Sequence, residues 1–272
     1  MKTLADRYRT AFVTGASTGL GRAFADMLLA EGLEVWGTAR DRSRLPAAPR
    51  FHAEALDLHA GEAAEQILVR AEQAAGGFDV VVNSAGYGAF GEFAGTEYAV
   101  WQRQLEAMLV NTARLAHTAL RGMRARGRGA LVNVSSMSVE FPLPFQSAYN
   151  MAKAGLSALS ESLMTEVAGT AVIVIDLRPG DHRTDFDGSV LRTPPAFTAR
   201  EARVWNAFAA MMLIGPPPAQ AAAALRRALQ RGRSGTVRTG RIVQTVLAPL
   251  LARLGSDAQR RYWRERYFDA RP

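Results

Sequence analysis

The chain contains no cysteine among its 272 residues. That excludes disulfides, thiolate nucleophiles and cysteine-ligated metals, and it fits a reducing cytoplasm. It contains only two lysines, Lys2 and Lys153, among 33 basic residues. It also lacks a long apolar run. The greasiest C-terminal stretch, Ile242 to Leu254, is interrupted by Gln244, Pro249 and Arg253, too short and polar to span a bilayer. The N-terminus shows no apolar signal core before its first strand-like segment. These features predict a cytoplasmic protein without a membrane span. No motif for a metal site stands out. The net charge of +8 admits an anionic partner or simply solvated arginine faces. The arginine clusters at 121–129 and 259–268 match no nucleic-acid module, so no nucleic-acid partner is expected.

What is present alternates. Short β-rich runs at 10–15, 34–39, 51–56, 78–86, 129–136, 171–180 and 236–239 are separated by helical patterns at 20–31, 60–75, 98–125, 148–168 and 217–231. Nearly continuous apolar strands suit a parallel sheet covered on both faces. The spacing therefore predicts an α/β doubly wound sheet of about seven strands, in a single Rossmann-type domain over 1–272. Residues 8–184 form its core. Residues 185–216, marked by TPP at 193–195 and GPPP at 215–218, form either a substrate lid or a surface loop. Residues 217–272 supply the last strand and C-terminal helices. The apolar segment 203–214 either lines a pocket or packs as an amphipathic helix.

In a doubly wound sheet, ligands bind at the carboxyl ends of the strands. After the first strand comes TGASTGLG, with Gly15, Gly19 and Gly21. Such a turn lets backbone approach a pyrophosphate and aims a helix N-terminus at it. The second strand ends in Arg40, whose guanidinium suits a ribose 2′-phosphate. Ser17 adds a hydroxyl donor. Asp41 follows and suits a free ribose hydroxyl instead, so NADP(H) is preferred with NAD(H) as the other option. Asp57 either accepts from an adenine amino group or caps the next helix.

Tyr149 and Lys153 are four apart on a predicted helix and share a face. A tyrosine titrates near pH 10, and a neighbouring ammonium is expected to lower that value. Arginine's planar fork does not substitute for the compact ammonium, which accounts for the retained lysine. Ser136 closes the fifth strand, where its hydroxyl either polarises a substrate carbonyl or belongs to a polar turn. Asn111 lies in a helical pattern, where it either holds a water linked to Lys153 or bridges a helix distortion.

Together these motifs resemble the short-chain dehydrogenase/reductase family, from about residue 8 to 184 and more loosely beyond. NSAG at 83–86 resembles the family's N-N-A-G, with Ser84 in place of the second asparagine. PGDHRT at 179–184 resembles P-G-x-x-x-T. The resemblance implies a catalytic set of Asn111, Ser136, Tyr149 and Lys153. It also implies cofactor contacts from Gly15, Ser17, Thr18, Gly19, Leu20, Gly21, Arg40, Asp57, Leu58, Asn83, Ala85, Gly86, Tyr149, Lys153, Pro179, Gly180 and Thr184. The activity it implies is hydride transfer between NADP(H) and a ketone, aldehyde or alcohol, on a bulky apolar molecule such as a steroid, retinoid or lipid. The usual assembly is a homodimer or homotetramer. A non-catalytic cofactor sensor on the same fold and a basic anion-binding surface protein are the competing readings.

Overall fold

The computed structural model describes residues 3–193 and 196–271. Lys2 and the prolines at 194 and 195 lie outside the described residues. Among the described residues nine strands are formed: β1 (Thr10–Val13), β2 (Glu34–Ala39), β3 (Phe51–Ala55), β4 (Val80–Asn83), β5 (Ala89–Phe90), β6 (Gly129–Val134), β7 (Val172–Pro179), β8 (Leu191–Arg192) and β9 (Gly235–Thr239). Seven make one sheet, in the order β3-β2-β1-β4-β6-β7-β9, and every pairing in it is parallel. The chain starts in the middle, winds outward to β3, then reverses to build β4 to β9. That reversal leaves a crevice between the carboxyl ends of β1 and β4.

The β-branched run of β4 shows how the sheet is anchored. Successive side chains of a strand point to opposite faces. Val80 and Val82 join one buried cluster with Phe24 and Leu28 of α1 (Gly19–Ala30) and Leu225 and Leu229 of α7 (Pro218–Arg231). Val81 joins the other, with Leu68 of α2 (Gly61–Ala75), Leu115 of α4 (Thr112–Arg126) and Leu163 of α5 (Ser147–Glu166). Both faces are covered, and fully burying each such side chain contributes about 1.5–3 kcal/mol.

Two features of the fold depart from the periodicity. The helix predicted over 98–125 is interrupted: α3 (Tyr98–Leu105) passes into a π-helical turn, Glu106–Asn111, before α4. In addition, β5 and β8 pair outside the main sheet. This pairing stitches the 185–193 segment to the core. α6 (Ala199–Leu213) then lays Val204, Phe208 and Met212 against Phe90, Val190 and Phe268 as a separate apolar roof. Of the two readings of residues 203–214, the amphipathic helix is observed, and two of its residues also reach the cleft described below. The chain closes with α8 (Ala248–Leu254), entered through a π turn at Val243–Leu247, and α9 (Asp257–Tyr267).

Candidate active site

A cleft of about 2150 Å³ runs across the carboxyl edge of the sheet and under the roof. Its outer end is the turn between β1 and α1. Gly15 and Gly19 have φ of 71° and 58°, a region that side chains with a Cβ enter only at a cost. A Cβ on Gly15 would also fall 2.9 Å from the Ala85 Cα, and one on Gly21 would collide with the Gly15 carbonyl. The turn is therefore a cradle that any larger residue fills. Thr14 holds the opposite wall: its Oγ1 accepts from the Ser84 and Ala85 N–H groups at 2.9 and 3.0 Å.

Ser17, Thr18, Leu20, Arg40, Leu58, Gly86, Pro179, Gly180 and Thr184 line the cleft as expected, with Ala85 and the three glycines. Asp57 lines it too, although its Oδ1 accepts from the His59 N–H at 3.0 Å, so it closes a turn before α2 rather than capping the helix. Asp41 is tied locally: its Oδ1 accepts from the Ser43 N–H and Oγ at 2.9 and 2.7 Å. Arg44, which the sequence reading passed over, joins exposed Arg40 on the cleft wall.

Two expected site residues, Asn83 for the cofactor and Asn111 for catalysis, do not line the cleft. Asn83 is 2% exposed and donates to Asn133 Oδ1 at 2.9 Å. Its side chain lies on the face of the sheet covered by α5, where Asn133 in turn donates to Ser160, and the neighbouring Ser84 lines the cleft instead. Asn111 ends the π turn and donates to the Leu58 carbonyl at 2.7 Å. Its amide thus ties the helix distortion to the turn after β3, and no direct hydrogen bond joins it to Lys153 among the described residues.

At the inner end, Ser136, Tyr149 and Lys153 meet. Lys153 is 6% exposed and donates to the Val134 carbonyl at 2.6 Å, with its ammonium 5.8 Å from the centre of the Tyr149 ring. Ser136 accepts the Ser138 N–H at 3.0 Å, which fixes the rotamer of its hydroxyl beside the phenol. The electrostatics differ from the expected lowering of the tyrosine. Burial pushes the Tyr149 phenol up to about 12; the Ser136 hydroxyl opposes this and the Asp181 carboxylate adds to it. Burial likewise pushes the Lys153 ammonium down to about 8, against the pull of Asp176. For each group burial outweighs the opposing partner, the Ser136 hydroxyl for the phenol and Asp176 for the ammonium.

Three groups at this end escaped the sequence reading. Ser138 Oγ is buried and has no partner among the described residues, and Ser138 lines the cleft. Asp181 accepts from Gln244 and from the Tyr267 hydroxyl. Burial raises its carboxyl despite both bonds. Behind the wall, Asp176 is fully buried and accepts from Ser135, from Ser157 at 2.8 Å and from Arg178 Nε at 2.7 Å. Arg178 also donates to Glu140 at 2.6 Å and to Glu161 at 2.8 Å. The signal was available in the charged pair inside the otherwise apolar run IVIDLRP.

The short chain dehydrogenase family model matches residues 9–194. A short chain dehydrogenase of Pseudocercospora fijiensis is 34% identical over 188 residues, covering 65% of this chain and 61% of that protein. The 3-oxoacyl-acyl-carrier-protein reductase of Vibrio cholerae is 32% identical over 183 residues, 65% of this chain and 75% of that one. A Streptomyces avermitilis short-chain dehydrogenase superposes with a TM-score of 0.82 at 30% identity, covering 96% of this chain and 97% of that one. A Burkholderia phymatum short chain dehydrogenase/reductase in complex with NAD gives 0.80 at 20% identity, with 91% and 92% covered. The chain belongs to the short-chain dehydrogenase family, oxidoreductases that act between CH–OH and C=O groups.

Proposed function

We propose that the chain is an NADP(H)-dependent reductase of ketones or aldehydes, or the corresponding alcohol dehydrogenase, working on a bulky apolar small molecule in the cytoplasm as a homodimer or homotetramer. The observation that carries this reading is that one cleft joins a glycine cradle and two arginines at one end to a buried Ser136–Tyr149–Lys153 group at the other. The cradle fits a dinucleotide pyrophosphate, with the N-terminus of α1 behind it. Arg40 and Arg44 suit a 2′-phosphate; Asp41 beside them lines the cleft too, with its Oδ1 turned to Ser43. The neighbours include a Thermococcus sibiricus alcohol dehydrogenase complexed with 5-hydroxy-NADP. When bound, the nicotinamide supplies or accepts the hydride.

The residues of the chain handle the proton. A phenol near 12 stays protonated at neutral pH, which makes Tyr149 an acid. As the carbonyl oxygen gains charge it becomes more basic than the phenolate and takes the Tyr149 proton. Ser136 donates a hydrogen bond to the same oxygen, and the unpartnered Ser138 hydroxyl offers a second contact. Lys153 would hold ribose hydroxyls, and Asn111 would support proton return through a water linked to Lys153. Residues 185–193, with Phe186 packed edge-on against the Tyr149 ring at 5.8 Å, serve as the lid that excludes water.

The test is a screen of diverse ketones with NADPH, read by nicotinamide absorbance. Tyr149→Phe should retain NADPH binding and lose about 10²–10⁴-fold in turnover. Turnover by the variant at the wild-type rate would end the assignment.

A further inference from the structure

The π turn and α8 carry an apolar stripe that has no cover among the described residues. Ile242, Val246, Leu250 and Leu254 recur every four residues, share one helix face, and are 53–78% exposed. Val243 and Leu247 widen the stripe, and Tyr262 and Trp263 on α9 stand about half exposed. α9 is fastened to α8 by Arg260, which donates to the Ala252 carbonyl at 3.1 Å. Isolated exposed apolar residues are ordinary, but a contiguous patch marks a surface that meets something.

The charges around the stripe decide what it meets. Residues 241–271 hold seven arginines against three acids, half of the chain's net charge of +8. A two-fold interface presses a patch against its own copy, so a second chain would bring those arginines face to face. An anionic lipid surface accepts both parts. The apolar stripe would sink to the acyl boundary, the Tyr262 and Trp263 rings would sit at headgroup depth, and exposed Arg253 and Arg261 would meet lipid phosphates. Among the described residues no single helix is long and apolar enough to cross a membrane, so such a segment lies on the bilayer rather than through it.

Position adds a third observation. Val243, Leu247, Leu251 and Trp263 line the cleft as well. We propose that the α8–α9 face docks on an anionic bilayer surface and turns the substrate mouth of the cleft toward the acyl chains. Only the route this gives to an apolar carbonyl substrate rests on the reductase reading; the docking does not.

The experiment is co-sedimentation of the full chain with vesicles of phosphatidylglycerol and phosphatidylcholine in equal parts, against phosphatidylcholine alone. The chain should pellet with the anionic vesicles and be released as salt shortens the screening length from about 10 Å to about 3 Å. Val246→Glu/Leu250→Glu, at positions outside the cleft, should weaken binding at least about tenfold. Arg253→Ala and Arg261→Ala should each weaken it about fivefold. Circular dichroism and thermal melting check that the variants fold. No pelleting at low salt overturns the proposal, as does unchanged pelleting of the double glutamate variant. A double variant that loses self-association by light scattering, where the wild type never pelleted, assigns the face to a second copy instead. Pelleting without ketone turnover leaves the docking standing and removes the reductase reading; turnover without pelleting does the reverse.

Discussion

The cleft has two ends built from opposite electrostatic materials. At the outer end, exposed Arg40 and Arg44 keep their hydration, and recognition comes from backbone: a glycine cradle and a helix terminus. At the inner end, Tyr149 and Lys153 are stripped of water, and their protonation is set by burial more than by each other. Charge in water is inexpensive and selects a ligand. Charge out of water is expensive and is retained where chemistry is done.

The largest effect expected from this contrast is at the inner end. Lys153→Met should lower turnover about 10²–10⁴-fold in the ketone assay, whereas a substitution at the outer end should act mainly on cofactor affinity. Equal losses from both ends, seen in kcat rather than KM, would erase the distinction.

The wall behind the inner end comes next. Arg178 is 5% exposed and satisfies Asp176 and Glu140 together. Glu140 stays below the usual carboxylate range although burial pushes it up, because Arg238 and Arg178 outweigh the burial. Arg178→Leu strands the Asp176 carboxylate without its cation and should cost about 3–5 kcal/mol in urea unfolding. A loss under about 1 kcal/mol, the value of an exposed pair, would show that the network is not the dry structure described.

At the outer end, Arg40→Ala/Arg44→Ala should weaken NADPH about tenfold or more by removing charge-assisted hydrogen bonds, with NADH nearly unaffected. Isothermal titration separates the two cofactors, and parallel losses would move the 2′-phosphate site elsewhere.

The smallest effect is on pH. Lys153 titrates near 8 folded against 10.5 in its ordinary state. Between those values the unfolded chain binds more protons, so the penalty of the buried ammonium fades as pH rises. The melting temperature of the wild type relative to Lys153→Met should therefore climb from about pH 8 toward 10.5. Turnover should move the other way, falling through pH 8 as the ammonium is lost. A melting difference flat across that window would mean the lysine is solvated.

Much of this molecule was legible because its core obeys local rules. The valines of β4 and the glycines after β1 each state their own environment, and their neighbours agree. Legibility stopped where a residue's state depends on distant partners. The π turn keeps helical periodicity, so the 98–125 segment reads as one helix. The two-residue strands β5 and β8 are too short to show alternation. Asn83 carried the right motif, yet strand parity aimed it at Asn133. The tyrosine shift went opposite to expectation because adjacency to Lys153 is visible in the spacing, whereas the depth of burial is not.

One stretch of chain touches both ends of the cleft. Thr184 stands where a Cβ on Gly19 would meet it at 3.6 Å, and Phe186, two residues on, packs against Tyr149. The glycine turn and the cover over the phenol therefore share one short segment. Only Asp185 separates Thr184 from Phe186, so three residues form the shortest mechanical link between the ends of the cleft.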